Sequence, residues 1–179
     1  MKFTTVAALI VLSAVSAWTQ EAVAEPEFAD VFFRLDAGKL VPLERETGTI
    51  QGKTSGFIVT NAKTVSDFPG AKSPVRFSPG QHLEFIARTL MGQSAVDPNS
   101  IYVLRKLDVK KKSRELVMSS GHFTPIGGSS KSSMTQGVLP VDFSRYGASS
   151  IKMTTSALQS GEYALSRISG RTVFCFGID

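Results

Sequence analysis

Short alternating runs of apolar and polar residues, cut at close intervals by Gly, Pro, Ser or Asn, govern what this chain can fold into. Scarcely any window repeats apolar residues at i, i+3, i+4 and i+7, so the rhythm is that of an all-β protein. Asp30 to Leu35 and Lys39 to Leu43 read as a hairpin across Asp36-Ala37-Gly38, where Gly38 can take the positive φ of a tight turn. Pro42 marks an edge position, because proline cannot donate to a ladder on both sides. Further strands are expected at Gly56 to Thr60, Val75 to Phe77 and His82 to Arg88, the last with Leu83, Phe85 and Ala87 alternating against Glu84, Ile86 and Arg88. The clearest pair is Ile101 to Val109 with Glu115 to Ser119, a long projecting hairpin joined by a lysine-rich turn. Val138 to Phe143, Ile151 to Thr155, Tyr163 to Arg167 and Thr172 to Ile178 complete the set. Between 125 and 137 the run PIGGSSKSSMTQG has no periodicity and is expected to be a mobile loop. So many short strands in one domain call for two packed sheets, and the expected fold is an all-β, single-domain antiparallel β-sandwich, Ig-like in broad architecture.

The amino terminus carries an export signal. Lys2 supplies the positive region, Val6 to Val15 the short apolar core, and Ala22-Val23-Ala24 a small-x-small cleavage site. Residues 1–24 are therefore expected to be a signal peptide and 25–179 the β-sandwich domain, placing the mature protein outside the cytoplasm, secreted or periplasmic. A cut after Ala17 fits less well, because Ala22 and Ala24 suit both small-residue pockets. The apolar core is too short for a membrane anchor, which needs about 20 apolar residues. At 42% hydrophobic and 20% charged, the chain is too apolar to stay disordered and long enough to bury a core.

Cys175 is the only cysteine, so no intramolecular disulfide forms and no lipid attaches at the cleavage site. Between Phe174 and Phe176 it reads as a small buried hydrophobe.

Gly161-Glu162-Tyr163 places a glycine two residues before a tyrosine that opens the penultimate strand, the arrangement of a tyrosine corner, whose hydroxyl bonds back to the chain a few residues upstream. Leu165 stands where an antibody domain carries its second cysteine. The segments Lys39-Leu40-Val41-Pro42-Leu43-Glu44, Pro69-Gly70-Ala71-Lys72-Ser73, Gly161-Glu162-Tyr163-Ala164 and Phe174-Cys175-Phe176-Gly177-Ile178-Asp179 together resemble a group of exported bacterial domains of unknown function that close on a similar GEYA and FxFG pair. The resemblance implies export and a β-sandwich and carries no catalytic residue across.

Motifs for chemistry are weak. Gly48 to Thr54 imitates a phosphate-binding loop but has one residue too few between its glycines and no helix after it. Cys175 with His82 and His122 lacks the ligands that a blue-copper site takes from beyond its cysteine. Ser149-Ser150-Ile151-Lys152 matches Ser-x-x-Lys, yet on a strand positions i and i+3 face opposite ways. No zinc spacing and no Gly-x-Ser-x-Gly elbow is present. No catalytic, cofactor-binding or metal residue is nominated.

Charge gives the one nomination. The chain carries a net +5 with a pI near 9.5, and Arg105, Lys106, Lys110, Lys111, Lys112 and Arg114 crowd one hairpin, where they form the expected anion-binding surface. A hairpin tip of lysines also prevents edge pairing. The expected partner is an anionic surface, a polysaccharide or another envelope protein. Nucleic acid is not expected, because Tyr102 is the only aromatic near enough for base stacking. The functional expectation is an exported, non-catalytic interaction or accessory module of the cell envelope or extracellular space, using either this hairpin or the Ser-Gly segment 125–137. Two alternatives stand beside it, an exported hydrolase-type enzyme with an unrecognised site and a small outer-membrane β-barrel.

Overall fold

The computed structural model describes residues 24–56, 60–90, 96–132 and 137–179. The expected signal segment lies almost entirely outside the described residues, as does most of the strand expected from Gly56 to Thr60. In chain order the first strands are β1 (Phe32–Asp36), β2 (Lys39–Pro42), β3 (Glu44–Thr47), β4 (Thr49–Ser55), β5 (Thr60–Pro69), β6 (Arg76–Phe77) and β7 (Glu84–Arg88). After a 3-10 turn at Pro98–Ser100 come β8 (Tyr102–Val109), β9 (Ser113–Thr124), β10 (Gly127–Ser132), β11 (Val138–Leu139), β12 (Val141–Tyr146), β13 (Ser150–Thr155), β14 (Gly161–Arg167) and β15 (Thr172–Ile178).

They form two sheets. The first runs β12-β13-β7-β1-β2, all antiparallel, with β2 and its Pro42 at the edge as proline requires. Its β1–β2 turn places Ala37 at φ 47° and Gly38 at φ 79°, the paired left-handed positions of a two-residue hairpin. The second sheet runs β3-β15-β14-β8-β9-β5-β4, with β10 added to β9, β11 to β8, and β6 parallel to β15.

The second sheet departs from an immunoglobulin-like layer because it curls. Its two edges, β3 and β4, are successive segments of one extended run, and the sheet bends into a half-barrel whose rims meet at Gly48. Space dictates glycine there: a Cβ would sit 1.8 Å from Ser66 Oγ and 2.7 Å from the Phe68 ring. The all-β expectation therefore holds, and the Ig-like description is only approximate.

Curling gives the molecule two cores. Between the sheets lie Phe32, Phe85, Met153, Tyr163, Leu165 and Phe176 with their neighbours; inside the half-barrel lie Phe68, Leu107, Leu116, Ala164, Val173 and Cys175. Strand β15 serves both, since alternation sends Phe174, Phe176 and Ile178 to one core and Val173 and Cys175 to the other. Cys175 is fully buried, as its setting in the sequence implied. The tyrosine corner is also present: Tyr163 donates its hydroxyl to the Gln159 carbonyl at 2.6 Å while its ring stacks on Phe176.

Three local expectations need correction. Ile86, placed on the polar side of β7, is fully buried on the outer face, where Phe33 and Lys152 stand directly opposite it on the neighbouring strands. The loop expected over 125–137 contains β10, paired with β9 from Gly127↔Thr124 to Ser132↔Ser119. What stabilises this glycine-serine strand is a side chain on its partner: the Phe123 ring lies against both Gly121 and Gly128. Polar strand β5 also escaped notice, although its pairing with β9 is the longest among the described residues. Beyond a bulge at Met118, strands β4, β5, β9 and β10 continue as a polar ribbon.

The segment before β1 is clasped rather than loose. Glu25 accepts hydrogen bonds from the backbone N–H groups of Ala148 and Ser149 and from the hydroxyls of Ser149 and Ser150. These donors hold its carboxyl down at about 2, against the opposing effect of burial.

Candidate anion-binding surface

Strands β8 and β9 and the turn between them carry all six cations singled out above, but the long projecting hairpin expected from the sequence is a short one: the two strands pair only at Asp108↔Glu115 and Val109↔Arg114 before parting to other neighbours. Strand alternation sorts the cations into different environments. Arg105 sits on the inner face of the half-barrel with Leu107, opposite Ala164, and is buried. Burial lowers its pKa. Lys106, on the other face, is exposed, with its ammonium 6.0 Å from the centre of the Tyr163 ring.

Arg114 is completely buried inside the half-barrel. Its guanidinium forks onto the Glu44 carboxylate at 2.7 and 3.1 Å and donates to the Pro69 and Gly70 carbonyls at 2.9 and 3.1 Å. Burial opposes its charge, but Glu44 outweighs it and raises the pKa above that of an ordinary arginine. Glu162 lies 3.9 Å away and pairs with Arg76, which in turn binds Asp179. The Ser73 N–H donates to Glu162, and a Cβ on Gly177 would collide with the Arg76 guanidinium. The segments 39–44, 69–73, 161–164 and 174–179 thus converge on one ionic chain, Glu44–Arg114–Glu162–Arg76–Asp179. Every charge in it has a protein partner.

Lys110, Lys111 and Lys112 remain at the exposed end of the hairpin. Their backbone is fixed on both sides, because the Lys110 N–H donates to the Ser113 carbonyl at 2.8 Å and the Lys112 carbonyl accepts from the Gly70 N–H at 3.0 Å. The second bond seats the loop bearing Lys72 beside the tip. Among the described residues none of the three tip lysines enters an ion pair. Glu115, which stands opposite Asp108 across the ladder, is already gripped by Lys53 and Lys63. Those two ammoniums hold it below the usual carboxylate range although burial acts in the opposite sense.

The histidines do not converge. His82 Nδ1 lies 3.2 Å from the Thr155 carbonyl at the first sheet, whereas His122 Nδ1 lies 2.8 Å from Asn61 Oδ1 on the polar ribbon. Among the described residues no three His, Cys, Asp or Glu side chains gather to hold a metal. A cavity of about 620 Å³ does open between the sheets, lined by Ile101, Phe143, Arg145 and others, and the sequence did not announce it. Its signal was the alternation Val141-x-Phe143-x-Arg145, which puts a cation in line with two apolar residues. No family model matches the sequence, and no curated protein aligns with it.

Proposed function

We propose that this chain is an exported, non-catalytic interaction module of the cell envelope or extracellular space that meets an anionic partner through the Lys110–Lys112 tip. The observation that supports this reading is the pinned turn: three adjacent ammonium groups held at an exposed hairpin end and left without carboxylate partners among the described residues. Adjacent charges attract a multivalent anion by summed Coulomb terms, which salt screens over about 10 Å at 0.1 M. Each lysine adds about 1 kcal/mol near an anionic membrane surface. A polymer or surface that repeats carboxylate, sulfate or phosphate groups meets all three lysines together; an isolated monoanion engages one at a time. Retention on a sulfated-polysaccharide matrix, measured as the salt concentration of elution, tests the reading. Elution of the wild type without retention would remove its basis.

A further inference from the structure

The cavity between the sheets has a chemistry distinct from the lysine tip. On β12, register places Val141, Phe143 and Arg145 directly opposite Thr155, Met153 and Ile151 of β13. Met153 and Ile151 belong to the inter-sheet core, and Val141 and Phe143 pack against it, so Arg145 occupies the same inward-facing row. Asp142 and Ser144 alternate away from that row, although both also border the cavity mouth. Arg145 is exposed at the cavity rim and has no ion-pair partner among the described residues. The acid of the far rim, Asp97, is engaged locally, its Oδ1 accepting from the Asn99 N–H and amide at 2.9 and 3.0 Å. One wall is the β12–β13 turn, which the four hydrogen bonds to Glu25 hold in place.

We infer that this cavity is a binding site for a small amphipathic carboxylate, with its apolar body against Val141, Phe143 and Ile101 and its carboxylate on Arg145. A volume of about 620 Å³ falls in the range of small-molecule sites, and its lining is amphipathic, with Val141, Phe143 and Ile101 on one part and Arg145, Asn99 and Ser149 on another. Guanidinium matches carboxylate through two parallel hydrogen bonds, which fixes the orientation of the head group. An ammonium head finds no such partner on the inward row, and an alcohol of equal length keeps only the apolar contact.

Calorimetric titration with sodium decanoate, decyltrimethylammonium and decanol tests the site. Decanoate is expected to bind saturably and about tenfold or more tighter than either comparator, the ratio that one charge-assisted hydrogen bond supports. Arg145→Gln should bring decanoate down to the level of decanol, whereas Arg145→Lys, which keeps the charge but loses the two-bond fork, should fall between wild type and Arg145→Gln; unchanged thermal midpoints confirm that both variants are folded. Neutralising Lys110, Lys111 and Lys112 should leave decanoate binding intact, which separates this site from the proposed role of the tip. Absence of saturable decanoate binding, or equal affinity in wild type and Arg145→Gln, overturns the inference.

Discussion

Arg114 holds Glu44 through two parallel hydrogen bonds, Nη1 to Oε2 at 2.7 Å and Nη2 to Oε1 at 3.1 Å, inside the half-barrel where no water reaches the guanidinium. A buried pair of this kind adds little net stability over a well-packed apolar pair, but removing one partner strands the other. Arg114→Met is therefore expected to cost about 3 to 5 kcal/mol, read from urea denaturation, and Arg114→Met with Glu44→Leu should recover a substantial part of the loss. A single substitution costing under about 1 kcal/mol contradicts the network as described.

Glu25 gives a pH dependence with a definite sign. Its carboxyl is depressed from 4.5 to about 2, first by the Ser150 hydroxyl and then, against burial, by the remaining donors of the β12–β13 turn. The native state favours the ionised form, so the stabilisation is complete above the unfolded value and drains away as the pH falls toward about 2. Glu115 and Asp179 shift in the same direction, so the difference between wild type and Glu25→Gln isolates this residue. The gap between their thermal midpoints should be widest near neutrality and narrow below about pH 4; a gap independent of pH would mean the clasp does not discriminate the carboxylate.

Tyr163→Phe removes the donor to the Gln159 carbonyl and leaves the stacked ring. The expected loss is about 0.5 to 1.5 kcal/mol, the net worth of one hydrogen bond. An unchanged denaturation midpoint would show that the ring alone braces the corner.

Burial pushes the Cys175 thiol up to about 12, so little thiolate forms and little of it meets solvent. A thiol reagent should label the native protein slowly and the denatured protein fast. Rapid native labelling contradicts a fully covered β15.

Much of the fold was legible because it rests on local pattern. The β1–β2 turn, the edge position of Pro42, the tyrosine corner and the double alternation of β15 all follow from residues close together in the chain. The strands that escaped notice are those whose stability comes from elsewhere: β5 is polar and gains its order from β9, while β10 depends on the Phe123 ring. The same limit governs the candidate sites. The tip lysines declare themselves as a turn, but Arg114, two residues beyond Lys112, is turned inward to a carboxylate 70 positions away. That pairing is a property of the curled sheet, and no spacing in the sequence encodes it. Arg145 is intermediate, since alternation with Phe143 shows its face, whereas the cavity it borders exists only once β12 meets β13 and the two sheets are packed.

The role of the tip is tested most directly by separating local from net charge. Neutralising Lys110, Lys111 and Lys112 to Gln, and in a second variant neutralising the exposed Lys39, Arg45 and Arg171, gives two proteins of equal net charge. Surface changes of this kind should leave stability within about 0.5 kcal/mol. On a sulfated-polysaccharide matrix, the tip variant is expected to elute well before the wild type and the remote variant close to it. Equal elution of the two variants contradicts the account, because retention would then follow overall basicity and not the lysine tip.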